Sequence, residues 1–364
     1  MRSKSLLIAA AAAAIALPAI AQQAANVANQ PLPAPSTAPA GDTADEGAVE
    51  EISPTQLQPT QTVQPPIEYP GWSRRDPWVV GKLDPVAEGL GDNPWGDASG
   101  VFLSTLMRRM DTPIASRWAH IALRNALLAK VRAPQDVNPV DWVAERSWLL
   151  LRMGEADGAR MLVDGVDTDR FTPKMVQVGV QTALATADTA ALCPLEGGIR
   201  KYEPAIRQFV QAMCAALAGD ADSAGAQIDD ARRHGRIGGI DLGLAQKVIG
   251  AAGSGRAATI DWGPVDTLTS WRFGLAAATG MVPPDNLIKA SSSQLRAFEA
   301  RAPLLTPQQR IDSAMIAGGL GVFSSQSLVD LYSAIYDSTD PSDLPTTDAW
   351  QLRQAFVGKD ETTR

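Results

Sequence analysis

Residues 149–157, with the sequence LLLRMGEAD, decide the fold of this 364-residue chain. Apolar residues lead to a glycine and a short acidic turn, and small residues open the next segment at 158–166. Small residues before a tight acidic turn recur at 183–188, there without a glycine, and at 215–222, and the Ala-Asp pairs of the three copies stand 31 and then 34 residues apart. A period in the low thirties is typical of proteins built from repeated helix pairs. The sequence therefore predicts an all-α fold of stacked helical hairpins.

Further helix starts are indicated by a capping residue followed by proline. Proline suits the first helical position because its missing N–H would be unpaired there in any residue. Thr306 is also followed by Gln309, which is the spacing of a capping box. We expect a further helix at Asp348–Val357 and a helical period over 114–131. The five predicted starts are Thr112-Pro113, Asn138-Pro139, Thr172-Pro173, Gly263-Pro264 and Thr306-Pro307.

A family resemblance rests on the turns. The pattern Leu-x-x-Gly-Asp/Glu-x-x-x-Ala occurs from Leu151 to Ala159, and slightly shifted from Leu217 to Ala224. It resembles tetratricopeptide-type repeats, which implies a helical-hairpin solenoid. The whole chain also resembles exported bacterial proteins that carry the label "antifreeze glycopeptide polyprotein". We give that label no functional weight, because this chain lacks strict Ala-Ala-Thr repeats.

The N-terminus has the pattern of a Sec-type signal peptide, predicted over residues 1–21. A basic start precedes an apolar run at 6–17, and Ala19 and Ala21 form a small-x-small cleavage site before Gln22. The apolar run is too short to span a bilayer, and no cysteine lies near the cleavage site. We expect a periplasmic or secreted protein without a lipid anchor and without an integral membrane segment after cleavage. An uncleaved N-terminal anchor is the alternative.

The predicted helical repeat domain covers residues 101–364, with truncation at its C-terminus as one alternative. Two further regions lie between the signal peptide and this domain. Residues 22–68 are rich in Pro, Ala and Gln, contain six acidic residues and lack Lys and Arg, so we predict a disordered linker that acts as tether or spacer. Residues 69–100 mix aromatic residues with Pro and Gly, which predicts an irregular segment.

The tryptophans fall into two groups with different predicted roles. Trp72, Trp78 and Trp95 lie in the irregular segment, where they anchor it to the body or form a glycan- or peptide-binding surface. The tryptophans of the helical segments are predicted core residues: Trp118, Trp142, Trp148 and Trp271.

The chain has two cysteines, Cys193 and Cys214. In an oxidising compartment an even number of cysteines favours a disulfide, although two buried free thiols remain the alternative.

Residues for catalysis or metal binding are not grouped in the sequence. His120 and His234 are far apart, and the calcium-like run beginning at Asp220 has Ala231 where a calcium loop needs its twelfth-position Glu. Nucleophile elbows and phosphate-binding loops are also missing. We therefore predict no catalytic, cofactor or metal site. The net charge of −8 without a basic cluster disfavours nucleic acid as a partner.

These observations favour a non-catalytic periplasmic scaffold that binds an unidentified envelope protein or peptide. The alternative is the helical domain of a peptidoglycan-acting enzyme, similar to soluble lytic transglycosylases, or a glycan-binding protein. A surface or ice-binding protein is a third interpretation, but it predicts flat Thr arrays that periodic helices do not supply.

Overall fold

The computed structural model describes residues 70–234, 238–253 and 258–358, without the side chains of 204 and 205. The predicted signal peptide, its cleavage site at Ala19, Ala21 and Gln22, and the predicted linker at 22–68 lie outside the described residues. All described residues belong to one compact unit.

The described chain is mostly helical, which confirms the all-α prediction. The pair of two-residue strands, β1 (Val79–Val80) and β2 (Val131–Arg132), is antiparallel. Short 3₁₀ helices occupy Gly71–Ser73, Thr168–Arg170, Ala190–Leu195 and Leu344–Thr346. The α-helices are α1 (Gly100–Arg109), α2 (Arg117–Leu128), α3 (Pro139–Met153), α4 (Ala156–Val163), α5 (Pro173–Ala185), α6 (Glu196–Tyr202), α7 (Pro204–Leu217), α8 (Ala221–His234), α9 (Gly239–Ala251), α10 (Ser270–Ala277), α11 (Asp285–Ala290), α12 (Ser293–Arg301), α13 (Pro307–Leu320), α14 (Ser325–Ser338) and α15 (Asp348–Val357).

Three of the five predicted proline starts are confirmed. Asn138, Thr172 and Thr306 are the N-cap residues of α3, α5 and α13, and each side chain accepts a hydrogen bond from a backbone N–H of the first turn. At Thr306 both bonds of the capping box form, because Gln309 also accepts from the N-cap backbone. The predicted last helix, α15, has the expected bounds.

The other two predicted starts are wrong. Thr112-Pro113 lies in a loop, and α2 begins later, after the N-cap Ser116. That helix also ends before Val131, which pairs with β1 instead. Gly263-Pro264 lies in an irregular stretch, and the next helix, α10, is capped by Thr269. Proline with a small polar residue or glycine suits a turn as well as a helix start, so the dipeptide alone does not distinguish them.

The repeated turns form much as predicted. Gly154 ends α3 with a φ of +91°, and Gly219 follows α7 with a φ of +83°, a conformation that favours glycine. At Gly154 an added Cβ would stand 2.7 Å from the Cβ of Ala297 in α12. The middle turn opens a 3₁₀ helix at Ala190–Leu195 rather than an α-helix. The side chain of Asp220 accepts a backbone bond at the start of α8, as a capping residue should.

Helix α5 lies between two hydrophobic clusters. Met175 and Val178 belong to the first cluster, which is centred on α3 and α4 and includes Phe273 and Phe298. Val176 and Val180 belong to the second, which includes residues of α7, α8 and α9. A third cluster joins α12 to α15. Because its side chains are buried on two sides, α5 holds both larger clusters together.

Consecutive helices pack as pairs, most extensively α3 with α4, α7 with α8, and α12 with α13. Other contacts join elements that are distant in sequence: α5 packs on α10, α12 on α3, and α13 on α2. Helices α12 and α13 therefore lie against α3 and α2, near the start of the helical body.

A buried arginine fixes the N-terminal segment to this body. The guanidinium group of Arg146 in α3 donates hydrogen bonds to the backbone carbonyls of Val80, Leu127 and Ala129. It also lies 5.7 Å from the centre of the Trp95 ring. Complete burial lowers the pKa of Arg146 to about 9, because the charged form loses its hydration. One side chain thus joins β1, the end of α2 and the irregular segment.

Candidate binding groove

A groove of about 350 Å³ lies between α3, α5 and the chain that runs from α6 into α7. Its volume is within the range of ligand pockets, about 300–1,000 Å³. We call it the α5 groove, and we call residues 196–207 its wall. Most of its lining is apolar and comes from Trp148, Val176, Val178, Val180, Ile199 and Ile206.

Two glutamines place free carboxamides in the α5 groove. Gln177 and Gln181 are four residues apart on α5, so they share one face of the helix. Among the described residues, neither side chain has a hydrogen-bond partner. Each carboxamide therefore offers both a donor and an acceptor to a ligand.

A charged group also lines the α5 groove. The side chain of Glu145 in α3 is only 4% exposed, and its Oε1 lies 2.5 Å from Nζ of Lys174 and 3.3 Å from Nε of Arg108. The two basic side chains are far more exposed, 39% for Lys174 and 53% for Arg108. Solvent and ligands therefore reach the cations more easily than the carboxylate between them.

The wall is enclosed by a disulfide. Cys193 in the 3₁₀ helix at Ala190–Leu195 is joined to Cys214 in α7, and the whole wall lies between them in sequence. Gly198 approaches α5 so closely that an added Cβ would stand 2.7 Å from a methyl group of Val176. The covalent loop and this close contact together hold the wall against α5.

The predicted tryptophan surface is not assembled as a single exposed patch. Trp72 is 89% exposed, whereas Trp78 and Trp95 are partly buried against the first cluster. Trp95 packs edge-to-face on the buried Trp142, with ring centres 5.2 Å apart. Arg132 covers Trp78 at 5.2 Å.

Only two of the four helical tryptophans pack in the core, where all four were predicted. Trp142 is buried and Trp271 packs against the second cluster, as expected. The prediction is wrong for Trp118, which is 75% exposed, and for Trp148, which is 38% exposed and lines the α5 groove. Trp148 lies three residues after Glu145, so a helical-wheel comparison would place both on one face.

Helix α1 places one exposed apolar residue on the side that faces the groove. By the spacing of i, i+4 and i+7, Val101, Thr105 and Arg108 share one side of α1. Val101 is 58% exposed, and Arg108 lines the α5 groove. Phe102 and Leu106 are also exposed, but helical geometry turns them away from that side.

Two buried polar clusters lie elsewhere. Nε2 of His120 is 3.0 Å from Oε1 of Glu155, and Arg124 reaches the same oxygen at 3.4 Å. Nδ1 of His120 has no hydrogen-bond partner in the described part of the chain. In the second cluster, Arg296 in α12 donates to Ser313 in α13, which donates to Glu299. Both clusters join separate helices, and neither lines the α5 groove.

The remaining candidate ligand residues lie apart. His234 is exposed at the end of α8, where it pairs with Asp230. Hydrogen bonds from Ser223 lower the pKa of Asp220, so this carboxylate serves the helix start. Within the described ranges, no group of three or more His, Cys, Asp and Glu side chains is placed to hold a metal ion.

In the part of the chain that the structure describes, no helix has both the length and the apolar character needed to cross a bilayer.

Comparison with known proteins assigns no family. No protein-family model matches the chain, and neither a curated protein nor a solved structure is significantly similar to it.

Proposed function

We propose that this protein is a non-catalytic interaction module whose α5 groove binds an apolar segment of a partner protein. The observation that carries the proposal is the combination of apolar walls with two carboxamides that have no partner within the described residues. Apolar walls favour burial of apolar side chains, and carboxamides can pair with the N–H and C=O groups of a bound backbone.

The dimensions of the groove suit a short extended segment. From Lys174 to Gln181 the α5 helix rises about 10 Å at 1.5 Å per residue. An extended chain covers that distance with about three residues. The exposed side of α1 offers further contact area beyond Arg108. A segment longer than three residues can therefore lie across both surfaces.

We also propose that consecutive hairpins form a degenerate tetratricopeptide-like solenoid in a periplasmic or secreted protein, and that this solenoid departs from a linear array where α12 meets α3 and α13 meets α2. The packing of consecutive helix pairs and the left-handed glycines at two of the three repeated turns support this fold. The pattern of residues 1–21 supports export, and an envelope protein or peptide is then the expected partner.

The test is differential capture with a blocked groove. Gln177→Trp puts a large side chain at an exposed position of the groove, and Gln351→Trp makes the same change at an exposed position of α15. We expect a partner that crosslinks to the parent chain and to Gln351→Trp in envelope extracts, but not to Gln177→Trp. A set of captured proteins that is identical for all three chains contradicts the proposal.

A glycan is the second candidate ligand, because Trp148 and Tyr202 both line the groove among carboxamides and carboxylates. Aromatic faces beside polar groups suit a sugar ring as well as a peptide. Co-sedimentation with purified peptidoglycan distinguishes the two candidates. Sedimentation that is lost in Gln177→Trp and retained in Gln351→Trp would favour the glycan.

A further inference from the structure

We infer that the apolar segment bound by the α5 groove carries an acidic side chain, which pairs with Arg108 and Lys174. This inference rests on the proposed function and names the chemistry of the partner. It concerns the charges around the groove, which the apolar walls alone do not determine.

The first argument is a local excess of positive charge. The groove lining contains two basic residues, Arg108 and Lys174, and two acidic ones, Glu145 and Glu203. Both cations share the single carboxylate of Glu145, and Glu203 forms no ion pair with either of them among the described residues. The end of the groove at Glu145 therefore carries one more positive charge than its carboxylate offsets.

The second argument is the position of Lys174. It is the second residue of α5, beside the helix N-terminus, where backbone N–H groups add positive potential. An anion near Lys174 therefore meets the side-chain charges and the helix dipole together. Because Glu145 is nearly buried while both cations remain exposed, a second carboxylate can approach the cations from solvent.

The third argument identifies the acidic group as a side chain rather than a chain terminus. Arg108 belongs to α1, and Val101, seven residues earlier on the same side of that helix, is 58% exposed. A segment that lies in the groove can thus continue along α1 beyond the charged group. We therefore commit to an internal Asp or Glu flanked by apolar residues.

Two synthetic peptides test the inference: N-acetyl-Leu-Val-Glu-Val-Leu-amide and its counterpart with Gln in place of Glu. Both have blocked ends, so they differ only in the central carboxylate. We expect the Glu peptide to bind the parent chain about two- to fivefold more tightly, the usual range for exposed ion pairs. That preference should weaken as salt is added, because salt screens exposed charges.

The Glu145→Gln variant distinguishes a competing carboxylate from a residue that only stabilises the fold, because the two roles predict opposite changes in peptide binding. The substitution removes the competing carboxylate, so the preference for the Glu peptide should increase about two- to fivefold. If Glu145 only stabilised the fold, the same change would weaken the binding of both peptides. Lys174→Gln should reduce the preference, and Arg109→Gln, an exposed arginine of α1, should leave it unchanged.

The outcomes separate this inference from the proposed function. Equal binding of both peptides, lost in Gln177→Trp, overturns the acidic side chain and leaves the apolar segment in place. Binding of neither peptide, together with the absence of enriched sequences from a random-peptide display library, counts against both. Enrichment of peptides with an acidic C-terminus only, and none with internal acids, also overturns the inference.

Discussion

At the scale of single residues, the buried charges are held by backbone groups and by polar side chains. Arg146 has three carbonyl acceptors and, among the described residues, no carboxylate partner, so its stabilising effect comes from satisfying oxygens that are shielded from water. The Glu299 carboxyl is in a different situation. Burial raises its pKa, while the bond from Ser313 and the charge of Arg296 oppose that rise.

Arg146→Lys tests the first of these. A lysine keeps the charge, but its compact ammonium group does not match three acceptors that are spread over two elements. We expect a loss of about 2–4 kcal/mol in the free energy of unfolding, since buried unsatisfied carbonyls cost about 1–3 kcal/mol each. Urea denaturation measures it, with the exposed Arg109→Lys as the control. A loss as small as that of the control would contradict the role of Arg146.

Glu299→Gln tests the second through pH. A carboxyl with a raised folded-state pKa favours the folded state at low pH, and this contribution is lost as pH rises above the unfolded-state pKa through the folded-state pKa. The parent chain should therefore lose stability relative to Glu299→Gln between acidic and neutral pH. Paired urea titrations at several pH values check the sign. A parent chain that gains stability relative to the variant over this range would refute the raised pKa.

At the scale of elements, the wall of the α5 groove depends on its covalent loop. Helix α6 has seven residues, and helices that short are marginal in isolation. Its position is fixed by contacts with α5 and α7 and by the disulfide between Cys193 and Cys214. The wall should thus be the part of the groove that changes most when the disulfide is removed.

The double substitution of Cys193→Ser and Cys214→Ser gives the measurement. In the chain-entropy model, closing a loop of this size contributes about 3 kcal/mol to the free energy of unfolding. We expect a loss of that order, and a weaker affinity for the Glu peptide even at temperatures where the variant is folded. Circular dichroism establishes folding, and calorimetry measures binding. Full affinity in the folded double variant would exclude a role of the disulfide in shaping the wall.

At the scale of the whole molecule, the contacts of α12 with α3 and of α13 with α2 join helices that are far apart in sequence. A linear array of repeats has contacts only between neighbours, and its parts can unfold separately. Long-range contacts of this kind couple distant helices. The described helices should therefore unfold together.

Phe298→Ala is the variant that tests this coupling. Phe298 lies in α12 but belongs to the same hydrophobic cluster as residues of α3 and α4. We expect a loss of about 3–5 kcal/mol, with tryptophan fluorescence and far-UV circular dichroism still changing in one coincident transition. The exposed Phe356→Ala serves as the control. Two separate transitions in the variant would show that the distant helices unfold independently.

The helix caps that were predicted correctly are determined by neighbours in sequence, whereas the proline dipeptides at Thr112-Pro113 and Gly263-Pro264 suited a turn as well as a helix start. The caps at Asn138, Thr172 and Thr306 depend on residues within one turn of helix. The β1–β2 pair and the contacts of α12 and α13 with the first helices depend on residues far apart in sequence, and periodicity contains no information about them. The same reason explains the α5 groove, whose lining residues come from five helices.

Gly154 illustrates a further consequence of such long-range packing. Its left-handed backbone conformation favours glycine, and the closeness of Ala297 leaves no room for a Cβ. Two independent demands, one local and one from a distant helix, thus exclude any larger residue at this position. In divergent descendants of this fold, a glycine here together with a small residue at the position of Ala297 should persist as a paired marker. A search for that pair can therefore detect distant homologues whose overall sequence identity is low.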